Sequence, residues 1–115
     1  MKCLPLSVLV AAVLNLAILP TRIAHAEADA HAAQALAKRN DCFKCHAIDK
    51  TKKGPSFKKV AAKYKGKPEG PDHVIKNITT GPEITLADGT KDKHRIIDTQ
   101  DAKEIRNLTD WILAQ

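Results

Sequence analysis

Cys42-Phe43-Lys44-Cys45-His46 is the stretch on which the reading of this chain turns. Two cysteines three positions apart project to one side of a helical turn, and a histidine follows them at once. Three chemistries use such a spacing: a redox disulfide across two residues, a zinc site completed by two histidines, and the covalent attachment of c-type haem. The disulfide closes a tiny loop and restricts the unfolded chain little, so it would be a redox device, and its usual βαβ setting is missing from the flanking sequence. Haem attachment uses all three residues. Each thiol forms a thioether with a vinyl group of one porphyrin, and the imidazole turns under the iron as proximal ligand.

The rest of the chain favours the third reading. With 115 residues, 43% hydrophobic and 28% charged, it has the composition of one globular domain. It lacks the charge excess of a disordered chain and 20 uninterrupted apolar residues for a membrane span. Phe43, Phe57, Tyr64 and Trp111 are its whole aromatic inventory. A core of normal density must then come from small aliphatics or from an apolar group that is not an amino acid, and a porphyrin supplies that volume. Met1-Lys2, the apolar run Leu4 to Leu19 and Ala24-His25-Ala26 read as a secretory signal over residues 1–26, cut after Ala26. An uncleaved anchor is the competing reading. A lipidated cysteine would follow the apolar run, whereas Cys3 precedes it. Residues 27–115 then form one exported, periplasmic domain without a membrane span, keeping only Cys42 and Cys45 in an oxidising compartment.

Along that domain the pattern is helical. Ala30 to Lys38 is alanine-rich behind the cap residue Asp29. After Gly54-Pro55, residues Phe57, Val60, Ala61 and Tyr64 recur at helical spacing up to Gly66. Pro71 to Thr80 reads as a short helix with Val74, Ile75 and Ile78 inward, stopped by Gly81-Pro82. Residues 82–100 lack sustained periodicity and read as loop. Asp101-Ala102-Lys103-Glu104 resembles a capping box before the stripe Ile105, Leu108 and Ile112. The expected fold is all-α, about four short helices wrapped around one covalently bound haem.

From residue 30 onward these residues resemble the small bacterial class I cytochromes c. The resemblance runs through Leu36-Ala37 and Asn40 into the Cys42–His46 motif, then Lys53-Gly54-Pro55-Ser56-Phe57, Val60-Ala61-Ala62-Lys63-Tyr64 with Gly66, and Leu108-Thr109-Asp110-Trp111-Ile112-Leu113. It implies one haem c held by Cys42 and Cys45, with His46 on the iron. It also implies that the backbone carbonyl of Pro55 accepts from the other ring nitrogen of His46, a bond that orients the imidazole and strengthens it as a donor. The terminal helices of the family cross beside the haem, with an aromatic at the position of Trp111.

One departure stands out. Family members complete the iron with a methionine from a loop before the last helix, but the sole methionine here is Met1. His94, 48 residues after His46 and seven before Asp101, falls close to that place and is the candidate sixth ligand. Lys91, Lys93 and Asn77 are weaker candidates, and His31 and His73 read as exposed. Two histidines imply a low-potential electron carrier whose iron is closed to substrates. An open or detachable sixth position would instead make a binder or sensor of oxygen, nitric oxide or carbon monoxide.

Charge bears on partners. The net of +6 falls to +4, 17 basic against 13 acidic residues, once Lys2 and Arg22 leave with the signal. Residues 38–67 hold eleven Lys or Arg against Asp41 and Asp49. The resemblance implies that the lysines from Lys44 to Lys67 surround the haem edge, where they would dock an acidic redox partner, the alternative being a solvated surface that confers solubility alone. A permanent place as the electron-accepting subunit of a periplasmic dehydrogenase would keep the same chemistry. Nucleic acid is not an expected partner, since the basic stretch has neither interleaved stacking aromatics nor a binding motif. No nucleophile with a base, paired carboxylates or phosphate-binding loop marks an enzyme.

Overall fold

Asp29 begins the first helix because its carboxylate accepts from the Ala32 N–H, one of the amide donors that a helix start leaves without a partner. The computed structural model describes residues 27–115, so the signal assigned to residues 1–26 lies outside the described residues. Helix α1 spans Ala30–Arg39, α2 Cys42–Cys45, α3 Phe57–Tyr64, α4 Gly70–Thr80 and α5 Ala102–Leu113. Strands β1, Glu83–Thr85, and β2, Lys91–Lys93, pair antiparallel with Ile84 opposite Asp92. None of these helices is long and apolar enough to cross a membrane.

Helix α5 is the centre of the packing and meets α1, α3 and α4. Its expected stripe is in place, with Leu108 and Ile112 buried and Ile105 half-buried, and Trp111 joins it in the core. Ala33, Leu36 and Ala37 face it from α1 at helical spacing; two alanines of the three let the helices approach closely. Phe57 and Ala61 are the buried residues of α3, and Val74 and Ile78 those of α4, with Ile75 half-exposed. The Phe57 ring meets Trp111 edge to face, 5.4 Å between centroids, and so joins α3 to α5.

The expected set of short helices is in place, and the motif residues Cys42–Cys45 add a helical turn of their own, five helices among the described residues. Two expectations need correction. Residues 82–100 are not all loop, because β1 and β2 form a small hairpin around Asp88-Gly89. Its strands are three residues each and β2 is entirely exposed, so no alternation of apolar residues announces it. The turn is made locally: Gly89 takes a positive φ of 87°, and Asp88 accepts from the N–H of Thr90. The start of α5 is half a capping box. Asp101 accepts from Lys103 N–H and Glu104 N–H, but its own N–H donates to Thr99 Oγ1 instead of to Glu104.

Candidate functional site

The site grows from the end of α1. Asn40 closes that helix, and Asp41 takes a left-handed conformation, φ 59° and ψ 21°, that swings the chain directly into the turn Cys42–Cys45. His46 leaves this turn with its N–H donated to the Cys42 carbonyl at 2.9 Å. Cys42 and Cys45 are half-buried free thiols. Burial pushes the Cys42 thiol up, which keeps it protonated and resistant to oxidation. Among the described residues no three His, Cys, Asp or Glu side chains converge to hold a metal ion, as a zinc site would require.

The chain after His46 folds back over its imidazole. Gly54 N–H donates to the Cys45 carbonyl at 2.8 Å and Lys52 N–H to the Gly54 carbonyl at 3.0 Å. This brings the Pro55 carbonyl to 2.6 Å from His46 Nδ1. A carbonyl oxygen only accepts, so Nδ1 carries the proton and Nε2 keeps a free lone pair. The ring stacks on Phe57, 5.2 Å between centroids and 19° between planes. Gly54 is required at its place: a Cβ there would stand 2.8 Å from His46 Cε1. Burial, more than any charge, holds the His46 pKa below its ordinary value; His94 and Lys52 act the same way and the Pro55 carbonyl opposes them. The imidazole is therefore neutral, the form that binds a metal.

His94 follows β2. Its N–H donates to the Pro82 carbonyl at 2.9 Å, and three residues on the Ile97 N–H donates to the Ile78 carbonyl at 2.9 Å. Gly81 caps α4 with φ 60° beneath this segment, and a Cβ on it would lie 2.8 Å from the His94 carbonyl oxygen. His94 Nδ1 is 2.9 Å from the Arg95 carbonyl, so Nδ1 carries a proton and Nε2 is the nitrogen left for a ligand bond. The His46 and His94 rings lie 6.2 Å apart, centroid to centroid, with 41° between planes. Metal–nitrogen bonds of about 2.0 Å, with about 1.1 Å from each nitrogen to its ring centre, put two imidazoles on opposite sides of one metal about 6.2 Å apart. Two unbridged thiols on one turn, and two imidazoles that each turn Nδ1 to a backbone carbonyl and leave Nε2 unbonded, fit a covalent haem.

The other expected residues are elsewhere. His31 is exposed, and His73 is exposed and stacked on Tyr64 at 5.0 Å. Lys91 donates to Thr85 Oγ1 across the hairpin, and Lys93 is exposed on the same strand. Lys44, Lys50, Lys52, Lys53, Lys58, Lys59, Lys63, Lys65 and Lys67 are all exposed. Among the described residues only Lys44 of this set pairs with an acid, Asp41 at 3.2 Å. Sequence reasoning missed a group that holds the His94 segment: Arg39 and Asn40 at the end of α1, and Asp98, which both bind. No motif links residues 58 positions apart, although an asparagine closing a helix just before the cysteine turn was the visible half of it.

Comparison with known proteins finds relatives over most of the described residues. Residues 30–115 match the family described as cytochrome c. Cytochrome c-552 of Nitrosomonas europaea is 33% identical over 89 residues, covering 77% of this chain and 80% of that protein. Cytochrome c-551 of Pseudomonas denitrificans is 31% identical over 78 residues, 68% of this chain and 90% of its own length. The crystal structure of the class 1 cytochrome MtoD from Sideroxydans lithotrophicus ES-1 superposes with a TM-score of 0.72 at 44% identity, covering 76% of this chain and 96% of that one.

Proposed function

The chain belongs to the cytochrome c family, as a class I monohaem member that carries covalent haem c with its iron, and from that premise we propose a periplasmic carrier of single electrons with two histidines on the iron. When bound, the haem supplies the redox chemistry, its iron alternating between ferric and ferrous states. Cys42 and Cys45 would hold the porphyrin through two thioethers, and His46 and His94 would hold the iron through Nε2, with Nδ1–H of each committed to a backbone carbonyl, Pro55 for one and Arg95 for the other. These bonds hold the rings and make both imidazoles stronger donors, which stabilises the ferric state. Two such donors, with Met1 as the only methionine of the chain, point to a low reduction potential.

The observation that carries this reading is the 6.2 Å between the two imidazole centroids. Closure of the iron on both sides makes electron transfer, not substrate binding, the function. The test is the spectrum of the purified haem protein beside His94→Ala, with carbon monoxide added to the reduced forms. Wild type is expected to be low-spin and to ignore carbon monoxide, while His94→Ala becomes high-spin and binds it. A high-spin wild type that takes up carbon monoxide readily would overturn the ligation and make gas binding the function.

Residues 1–26 are proposed as the export signal that delivers the domain to the periplasm; the intact mass of the secreted protein would show both their removal and the added haem. The lysines between Lys44 and Lys67 are proposed to dock an acidic redox partner. Apart from Lys44 none of them pairs with an acid among the described residues, which leaves their charge available to steer an encounter. The association rate with such a partner should fall steeply with added salt, and a flat dependence would return these lysines to solubility alone.

A further inference from the structure

We propose that Asn40 and Asp98, helped by Arg39, are positioning residues that lock His94 in place and so keep the sixth position of the iron closed; this rests on the reading of His94 as ligand. Asn40 is 5% exposed, and its carboxamide makes three hydrogen bonds. Nδ2 donates to the Leu36 carbonyl at 3.0 Å, as a helix cap would, and also to Asp98 Oδ1 at 2.9 Å. Oδ1 accepts from the backbone N–H of Asp98 at 2.8 Å. The two residues therefore bind each other reciprocally, and a role confined to capping α1 leaves both bonds to Asp98 unexplained. Arg39 adds its Nε to Asp98 Oδ2 at 2.9 Å and its Nη2 to Oδ1 at 3.1 Å.

The place of this clamp in the chain gives it a function. Asn40 stands two residues before Cys42, the first thioether position, and Asp98 four residues after His94. The turn that carries the haem and the segment that carries the distal imidazole are thus joined directly. A second tie runs beside it, Arg95 Nη1 to Asp41 Oδ2 at 3.4 Å. With His94 held from Pro82 at one end and Asp98 held at the other, the imidazole cannot swing away without breaking hydrogen bonds. The clamp raises the local concentration of the ligand at the iron without touching it, in the way that positioned groups gain over free ones.

Ligand release is read by the rate at which the reduced protein takes up carbon monoxide, because His94 must leave first. Asp98→Ala and Asn40→Ser are expected to accelerate uptake roughly ten- to a hundredfold over wild type, the loss of a hydrogen bond to a charged group. Asp98→Asn keeps an acceptor oxygen for Asn40 Nδ2, so its rate should return toward that of wild type. Asp98 is half-exposed, so Asp98→Ala remains informative should Asn40→Ser fail to fold. Denaturant unfolding is measured alongside. A lowered unfolding midpoint with an unchanged uptake rate would show the clamp to be merely structural and would overturn the proposal. Wild type taking up carbon monoxide as fast as His94→Ala would overturn the ligation and the clamp together. A closed wild type, an open His94→Ala and unchanged clamp variants would refute the clamp alone.

Discussion

Gly54→Ala tests the proximal geometry most directly, because the new methyl group would meet the imidazole itself. Its Cβ would stand 2.8 Å from His46 Cε1 and 3.2 Å from Nδ1. Carbon atoms rest at about 3.5 Å or more, so the ring edge must retreat by about 0.7 Å. That edge carries the 2.6 Å bond to the Pro55 carbonyl, and the stacked Phe57 restricts the ring's escape. Loss of the bond costs about 1 kcal/mol and the forced fit about 1–3 kcal/mol, against about 0.5 kcal/mol gained from a stiffer unfolded chain. A net loss of about 2–3 kcal/mol lowers the melting temperature by about 10 °C or more in a domain of this size. The redox consequence has a definite sign. An imidazole that no longer donates from Nδ1 is a weaker donor to iron, the ferric state loses more than the ferrous, and the potential rises. A differential effect of about 1 kcal/mol corresponds to about 40 mV for one electron. Thermal unfolding and redox titration of the purified haem protein measure both. A variant with the stability and potential of wild type would refute the claim that Gly54 makes room for the imidazole and that the Pro55 bond tunes it.

Trp111→Ala empties a buried site that touches Phe57 at the α3–α5 contact and should cost about 3–5 kcal/mol in urea unfolding; a loss below about 1 kcal/mol would contradict its place in the core. Gly81→Ala combines a left-handed φ of 60° with a Cβ only 2.8 Å from the His94 carbonyl oxygen. It should lose about 2–4 kcal/mol and gain a high-spin fraction as the His94 segment is pushed outward, and a fully low-spin spectrum would speak against that coupling. Acid stability reads the clamp: hydrogen bonds from Arg39 first and Asn40 second hold the Asp98 carboxyl below its ordinary value. A carboxyl depressed on folding adds stability above its unfolded pKa, about 3.9, and that contribution is lost as pH falls through the lower folded value. The Asp98→Asn stability curve should therefore be flatter than that of wild type below about pH 5, and parallel curves would show no such linkage.

Much of this protein is written in short-range pattern. Asp29 and Asp101 mark helix starts, the apolar residues of α3 and α5 recur at helical spacing, and Cys42, Cys45 and His46 lie on one turn, because each of these interactions closes within a few residues. The count of methionines also posed the ligand question before any fold was known. The approach of His94 to His46 was a different matter. The residues lie 48 positions apart, and nothing near His94, set among Lys91, Asp92, Lys93 and Arg95, distinguishes it from a solvated loop histidine. Its position comes from the Pro82 and Ile78 carbonyls, from the room left by Gly81 and from the Asn40–Asp98 clamp, all contacts that exist only after α1 and α4 have packed on α5. Local spacing determined where the haem is attached; tertiary packing, which alone brings distant backbone groups within hydrogen-bond reach, decided that His94 comes to stand opposite His46.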